Sequence, residues 1–335
     1  SLDLNRCTSL CELNLVNHAK ISSILIQHCK QLTQISLNGS SQSQLKKFWI
    51  LHCQSFHSLS FIDPHNVDAD EDAVSLTALN RPSMRLYING CSSIVDNFFE
   101  DLANQPISTL RFANCSSIRN PILKYPNLTI LRFHACQQLE RFYVQEAHLS
   151  EVQVECCPLF HISETKQLFE VGCKYLSFQK CQSLPPRFSI DNFGTEYVSL
   201  TECINIQSLS IENDHSEKVF LRFCDSLAQI YIDSNRTPLK MLDVMECMQF
   251  SSILTSENET SQLQHVYFSE CPLFCDQSLQ QLLQSSPLIN EIKVDGCGLI
   301  HPTFEGHHLK KVDISNCQHM HHFDLGFCPQ LQEVL

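Results

Sequence analysis

The chain has 335 residues, of which 8 are glycine and 19 are cysteine, and it carries a formal net charge of −13. Scarce glycine argues against phosphate-binding loops, and the close pair Gly296 and Gly298 is followed by His301 where a dinucleotide-binding motif needs a third glycine. An acidic chain is a poor general binder of nucleic acid, and no apolar run reaches the roughly 18 residues that a transmembrane helix needs.

One phrase recurs along the whole chain: an apolar residue, any residue, a second apolar residue, two further residues and a cysteine. It first occurs at Leu2, Leu4 and Cys7. The fourteen cysteines in this position, called the ladder cysteines below, are Cys7, Cys29, Cys53, Cys91, Cys115, Cys136, Cys157, Cys181, Cys203, Cys224, Cys247, Cys271, Cys297 and Cys317. Because apolar residues two positions apart face one side of a strand, and one short strand cannot bury that side alone, the phrase predicts stacked coils with parallel strands.

Successive ladder cysteines are 20–26 residues apart, except for the 38 residues between Cys53 and Cys91. The exception predicts an insertion near residues 62–82, with four acidic residues in 68–72. An EF-hand loop counted from Asp68 would need Gly and Glu where the chain has Ala73 and Leu79. The segment is therefore interpreted as a solvated acidic loop, with contact to a partner as the alternative.

A second strand-like phrase often follows about half a period later. It occurs at Leu13/Leu15, Ile35/Leu37, Leu59/Phe61, Phe142/Val144, Leu209/Ile211, Ile230/Ile232 and Phe323/Leu325. Helical segments are predicted chiefly over 94–104 and 276–285. The predicted fold class is an α/β repeat solenoid with a concave parallel β-sheet and a partly β or irregular convex side. With few helices on that side, we expect a flatter shape than a helix-backed horseshoe.

The phrase L-x-x-L-x-L-x-x-C resembles the leucine-rich repeat in its cysteine-containing form. The clearest unit begins at Cys271 and ends at Cys297, and it is similar to the repeats of F-box-type ubiquitin-ligase receptors. Ile94, Val95 and Asp96, which follow Cys91, resemble the "I-T-D" step of those repeats. The chain also resembles leucine-rich-repeat effectors of intracellular bacteria. The resemblance covers essentially the whole chain and implies a fold more firmly than a function, because this repeat serves many partners.

The predicted organisation is a single solenoid over residues 1–335 with about 14 repeats. The chain begins inside one strand phrase at Leu2 and ends inside another at Leu331 and Val334. Neither end resembles the polar cap that a solenoid needs, so we expect both ends to be truncated.

The ladder also predicts a redox environment. Neighbouring strands lie about 4.8 Å apart, which separates in-register Cβ atoms more widely than the roughly 3.8 Å of a disulfide. Unpaired thiols in such number predict a reducing compartment, which is the cytoplasm or a host cytosol reached by secretion.

Residues between and beside the inward-facing apolar positions should face the concave surface. These positions hold the only tryptophan and several tyrosines and arginines, the residue types that dominate interface hot spots. The predicted partner-binding residues are Trp49, Leu51, Tyr87, Arg111, Arg132, His134, Tyr175, Tyr197, Phe220, Arg222, Met245 and Tyr267. The alternative is that β-rich proteins simply place aromatic residues on strands.

Motifs for catalysis are missing from the sequence: it has no GxSxG, no HExxH and no zinc-ribbon CxxC pairs. Six histidines crowd the C-terminal coils and are interpreted as structural or surface residues: His301, His307, His308, His319, His321 and His322. We therefore predict no catalytic residues, no metal and no cofactor.

Together these features predict a non-catalytic protein–protein recognition scaffold, a monomer that binds a protein partner but neither nucleic acid nor membrane. One alternative is the substrate-receptor arm of a ubiquitin ligase, which requires an F-box or similar module outside this chain. The other is a secreted bacterial effector that targets a host protein.

Overall fold

The computed structural model describes residues 1–16, 20–38, 44–62, 83–102, 105–162, 172–190, 194–256 and 260–335, with Asp101 described by its backbone alone. The predicted acidic insertion lies outside the described residues, apart from Ile62. The chain divides into two compact units, one of Ser1–His161 with Gln167–Gly172 and the other of Ile162–Lys166 with Cys173–Leu335. The prediction of one solenoid over the whole chain stays a prediction, and each unit is described by itself.

The first unit contains twelve strands and one short helix among its described residues. They are β1 (Leu2–Asn5), β2 (Glu12–Val16), β3 (Ser23–Gln27), β4 (Gln34–Asn38), β5 (Lys47–Leu51), β6 (Ser58–Ile62), β7 (Met84–Asn89), α1 (Phe98–Asp101), β8 (Ile107–Ala113), β9 (Ile122–Lys124), β10 (Ile130–His134), β11 (Tyr143–Gln145) and β12 (Leu149–Glu155). The main sheet has the order β1-β3-β5-β7-β8-β10-β12, and its pairs are parallel. Smaller parallel sheets, β2-β4-β6 and β9-β11, form the opposite side of the coils.

The second unit contains fourteen strands and one helix in the part that the structure describes. They are β13 (Cys173–Gln179), β14 (Arg187–Ser189), β15 (Tyr197–Thr201), β16 (Ser208–Ile211), β17 (Lys218–Arg222), β18 (Gln229–Ile232), β19 (Met241–Met245), β20 (Ser252–Thr255), β21 (His265–Ser269), α2 (Asp276–Ser285), β22 (Glu291–Asp295), β23 (Thr303–Phe304), β24 (Lys311–Asp313), β25 (Asp324–Leu325) and β26 (Glu333–Val334). Its main sheet has the order β13-β15-β17-β19-β21-β22-β24-β26, and the smaller sheets are β14-β16-β18-β20 and β23-β25.

The fourteen apolar phrases coincide with main-sheet strands, so the predicted repeat solenoid with a long parallel sheet is confirmed. In β10, for example, Leu131 and Phe133 are fully buried and lie opposite Leu110 and Phe112 of the neighbouring coil. The intervening residues point away from the core. This in-register stacking buries a continuous apolar core that a single coil could not form.

The residue before each ladder cysteine adopts a positive φ, between +51° and +67°. Only Gly90 and Gly296 are glycines at this position, although the left-handed region costs other residues about 1–2 kcal/mol. The conformation is held by the strand ladder itself. Ala135, for example, has φ +51° and donates its N–H to the carbonyl oxygen of Glu155 in the next coil at 2.8 Å. The turn directs the following cysteine into the core.

The ladder thiols donate to backbone carbonyls. The Sγ of Cys115 lies 3.3 Å from the carbonyl oxygen of Ala113 and 3.8 Å from that of Ile88 in the preceding coil. No disulfide joins the nineteen cysteines, all of which lie in described segments. Desolvation by burial raises the pKa of Cys91 to about 12 and that of Cys271 to about 11.

The half-period phrases are confirmed as strands of the smaller sheets, with Phe142 and Phe323 lying one residue before β11 and β25. The phrase did not predict β9, β14, β20 and β23. Each of these buries a single apolar residue within the strand: Leu123, Phe188, Ile253 and Phe304 respectively. One apolar residue gives no period-two signal.

Both predicted helical segments contain a helix, and α2 begins and ends where the sequence placed it. Leu279, Leu282 and Leu283 form its buried face, and Pro287 follows its C-cap. The Asp276 carboxylate accepts the backbone N–H groups of Ile300 and His301 in the next coil, at 3.0 and 2.8 Å. No helix among the described residues is long and apolar enough to span a membrane.

Candidate functional site

An open groove with a volume of about 640 Å³ lies on the outward face of the second unit's main sheet. Four of the predicted partner-binding residues line it: Tyr175, Tyr197, Phe220 and Arg222. The remaining lining residues are Lys174, Glu196, Ser199 and Thr201. The structure therefore brings together residues that are up to 48 positions apart in the sequence.

The groove follows from side-chain size at three registered positions. Tyr175 and Tyr197 lie opposite each other on β13 and β15, and Ser177 and Ser199 lie opposite each other two residues later. Ser199 in turn lies opposite Phe220 on β17. Because side chains at alternate residues share a face, small serines flanked by tyrosines and a phenylalanine leave a depression with aromatic walls.

Cationic groups lie at the rim of this groove. Lys218 Nζ is 5.2 Å from the ring centroid of Tyr197, within the range of a cation–π interaction. Arg222 Nη2 lies 3.3 Å from Asp243 Oδ2, and 45% of the Arg222 side chain stays exposed. The arginine is thus oriented by one carboxylate and keeps donors that face solvent.

Met245 and Tyr267 lie on the same sheet but do not line the groove. Met245 is opposite Arg222 in the register of β17 and β19. Tyr267 donates its hydroxyl hydrogen to Glu291 Oε2 at 2.9 Å, and burial together with this bond raises the pKa of Tyr267 to about 12. The Tyr267 hydroxyl is therefore engaged within the sheet.

The first unit carries a separate row of predicted residues. Trp49, Tyr87, Arg111 and Arg132 lie opposite one another on the consecutive strands β5, β7, β8 and β10. We call these four residues the first-unit row. Trp49 is 39% exposed, and Leu51 lies two residues after it on the same face. The row combines aromatic area with two guanidinium groups.

His134, the last predicted residue of the first unit, belongs to a different cluster at the ends of β10 and β12. Its Nδ1 lies 3.1 Å from Glu155 Oε2. The Sγ of Cys156 completes a set of three potential ligand atoms that all lie within 4.8 Å of one another. Among the described residues this is the one group of three or more His, Cys, Asp or Glu side chains with the spacing of a metal site.

The sequence pattern does not single out this cluster, because Cys156 lies outside the ladder and its partner His134 is 22 residues away. The available signal was the repeat period itself, which places His134 and Glu155 at equivalent positions of successive coils. The C-terminal histidines form no three-ligand group within the described residues. His301 and His321 have ring centroids 6.0 Å apart, and His322 Nε2 lies 2.9 Å from Asp324.

Comparisons with known proteins add little. No family model matches the chain, and no curated protein matches it. Among solved structures, the crystal structure of a leucine-rich cell surface protein from Faecalibacterium prausnitzii A2-165 is similar over 93% of this chain and 87% of that chain, at 11% identity and a TM-score of 0.26. At that TM-score, the assignment of the fold depends on the strand pairing described above.

Proposed function

We propose that this protein is a non-catalytic protein-recognition scaffold, and that a partner segment binds in the groove of the second unit. The observation that carries the proposal is the convergence of Tyr175, Tyr197, Phe220 and Arg222 around one depression on the main sheet of the second unit. Aromatic residues and arginine in a concave site are the usual anchors of protein interfaces.

The chemistry of the groove indicates which partner residues fit. The three aromatic side chains are half-buried, so their accessible faces offer apolar area that is already ordered by the sheet. Ordered aromatic side chains lose little conformational entropy on binding. Lys218 and Arg222 at the rim favour a carboxylate beside the apolar group. We infer a partner segment with an aliphatic or aromatic anchor next to an acidic residue.

The first-unit row offers a second surface of similar composition. Arg132 Nη2 lies 2.6 Å from Glu151 Oε1, so this guanidinium is held in place by its own sheet. Trp49 is the most exposed aromatic residue of the row and has Lys47 Nζ 5.9 Å from its ring. We assign the row the role of an additional partner contact, to be tested separately from the groove.

A peptide library displayed on phage tests the groove. The library is selected on the wild-type protein, and the enriched peptides are measured by fluorescence polarisation against the Tyr197→Ala and Phe220→Ala variants. Loss of a hot-spot side chain should weaken binding by at least about tenfold, which corresponds to about 1.4 kcal/mol. The enriched sequences should pair an apolar residue with Asp or Glu.

The matched control is Tyr231→Ala, which removes an outward tyrosine from β18 in one of the smaller sheets. This variant should bind the selected peptides like the wild type, as should Trp49→Ala if the two surfaces act independently. Equal affinity of all variants, or selection that enriches no binding peptide, would contradict the assignment of the groove.

The cellular compartment in which the protein binds its partner is also part of the proposal. We infer a reducing compartment, the cytoplasm or a host cytosol, because buried thiols at a repeated position stabilise the coils through bonds to backbone carbonyls. The ubiquitin-ligase receptor and the bacterial effector are two settings in which the same binding role would operate. No feature of the described residues favours one of them.

A further inference from the structure

We propose that His134, Glu155 and Cys156 form a zinc-binding site at the ends of β10 and β12, a role separate from partner recognition in the groove. The three residues supply an imidazole nitrogen, a carboxylate oxygen and a thiolate sulfur. That mixture of N, O and S ligands is typical of Zn²⁺, whereas Mg²⁺ and Ca²⁺ take oxygen ligands.

The distances suit the ion. Zinc–ligand bonds of about 2.0–2.3 Å in a tetrahedral site place neighbouring ligand atoms roughly 3.3–3.7 Å apart. His134 Nδ1 and Glu155 Oε2 are 3.1 Å apart, so these two atoms already have nearly that separation. Cys156 Sγ lies within 4.8 Å of a ligand atom of each of the other two residues, and a side-chain rotation can bring it closer.

The backbone holds the three residues in this arrangement. His134 and Glu155 are the last residues of β10 and β12 and lie opposite each other in register. Cys156 follows with φ +54°, the left-handed turn that precedes every ladder cysteine. This turn leaves Cys156 partly exposed beside Glu155, while the next residue, Cys157, enters the core.

The site has room and balanced charge. On the side of β8, the residue opposite His134 is the small Ala113, so the imidazole is not crowded from that coil. Zinc binding displaces the Cys156 thiol proton to solvent, and the ion is then held by one thiolate, one carboxylate and a neutral imidazole. The complex carries no net charge, and a water molecule fills the fourth position of the tetrahedron.

The second unit contains a natural control for the histidine–carboxylate part of the site. His265 and Glu291 also lie opposite each other on neighbouring main-sheet strands, with Nδ1 and Oε2 3.3 Å apart. No third ligand joins them in the described part of the chain. Comparing the two pairs therefore tests the contribution of Cys156.

Zinc and cobalt binding to the whole chain test the proposal. Protein made without a histidine tag, in a Cys11→Ser/Cys275→Ser background that removes the two exposed thiols, is titrated with ZnCl₂ by calorimetry. Co²⁺ serves as a spectroscopic probe, because a cobalt–thiolate bond gives a charge-transfer absorption band. We expect one zinc ion per chain and a charge-transfer band with Co²⁺.

Substitutions in the cluster decide the assignment. His134→Ala and Cys156→Ser should each weaken zinc binding by at least about tenfold, and Cys156→Ser should abolish the cobalt–thiolate band. His265→Ala should change neither result, and circular dichroism should show that every variant is folded. The proposal is overturned if the parent protein binds no zinc, or if Cys156→Ser binds zinc like the parent.

Discussion

Alkaline pH should destabilise this fold through its ladder cysteines. Burial raises the pKa of Cys91 to about 12 and that of Cys271 to about 11, and it also raises the pKa of Cys115, Cys203 and Cys297. In an unfolded chain a cysteine titrates near pH 8.5. Since the folded pKa is the higher one, the stabilisation is fully present below pH 8.5 and is lost as the pH rises towards the folded values.

The expected loss can be estimated for each thiol. Between pH 8 and pH 10 the unfolded thiol loses its proton and the buried thiol keeps it, which lowers the free energy of unfolding by about 1.9 kcal/mol per thiol. Two of these thiols lie in the first unit and three in the second. We therefore expect losses of about 4 and about 6 kcal/mol respectively, against a usual total of about 5–15 kcal/mol for a domain.

Urea unfolding measured by circular dichroism at pH 8, 9 and 10, with a reductant present, tests this expectation. The midpoint urea concentration should fall at each step while the slope with urea stays constant. The Cys115→Ala variant is the matched control. It should be less stable at pH 8 because of the cavity, yet lose about 1.9 kcal/mol less than the wild type between pH 8 and pH 10. Equal stability at pH 8 and pH 10, or an unchanged pH dependence in the variant, would refute the reasoning.

Three further predictions concern single positions. Gly298→Ala should lower the stability by more than about 2 kcal/mol, because its Cβ would lie 2.1 Å from the backbone oxygen of Pro272; a melting temperature equal to that of the wild type would contradict this. Ala135→Gly should raise the free energy of unfolding in urea by about 0.5–1 kcal/mol, because glycine relieves the left-handed strain at φ +51°. A lower midpoint urea concentration than that of the wild type would argue against such strain. The hydrogen bond with Ser278 Oγ lowers the pKa of Cys275. Iodoacetamide should therefore alkylate Cys275 faster in the wild type than in Ser278→Ala, as followed by peptide mass spectrometry. Equal alkylation rates would exclude this effect of Ser278.

The repeat period predicted most of the fold because the relevant physics is local. Leu131 and Phe133, two residues apart, face one side of a strand in any chain that is extended there, and the cysteine three residues later marks where the strand ends. The same holds for α2, where Leu279, Leu282 and Leu283 have helical spacing. The left-handed residue before each ladder cysteine left no comparable signal, since twelve different coils place non-glycine residues there.

The candidate sites could be predicted only in part. Alternation along a strand identified Tyr197 and Phe220 as outward residues, but it did so equally for Met245 and Tyr267. Whether an outward residue lines a groove depends on the size of its neighbours in the adjacent coils, such as Ser199 opposite Phe220. The sequence shows which residues are neighbours across coils only when the register between the coils is known.

The sequence by itself therefore determined the repeat, the position of each main-sheet strand and the inward position of the ladder cysteines, because these follow from periodicities within one coil. The tertiary structure alone decided which side chains meet across coils. Residues 21 or 22 positions apart, such as His134 with Glu155 and Tyr175 with Tyr197, become neighbours only when parallel pairing fixes the register. Hydrogen bonds between successive coils fix that register, and with it the groove and the histidine–glutamate–cysteine cluster.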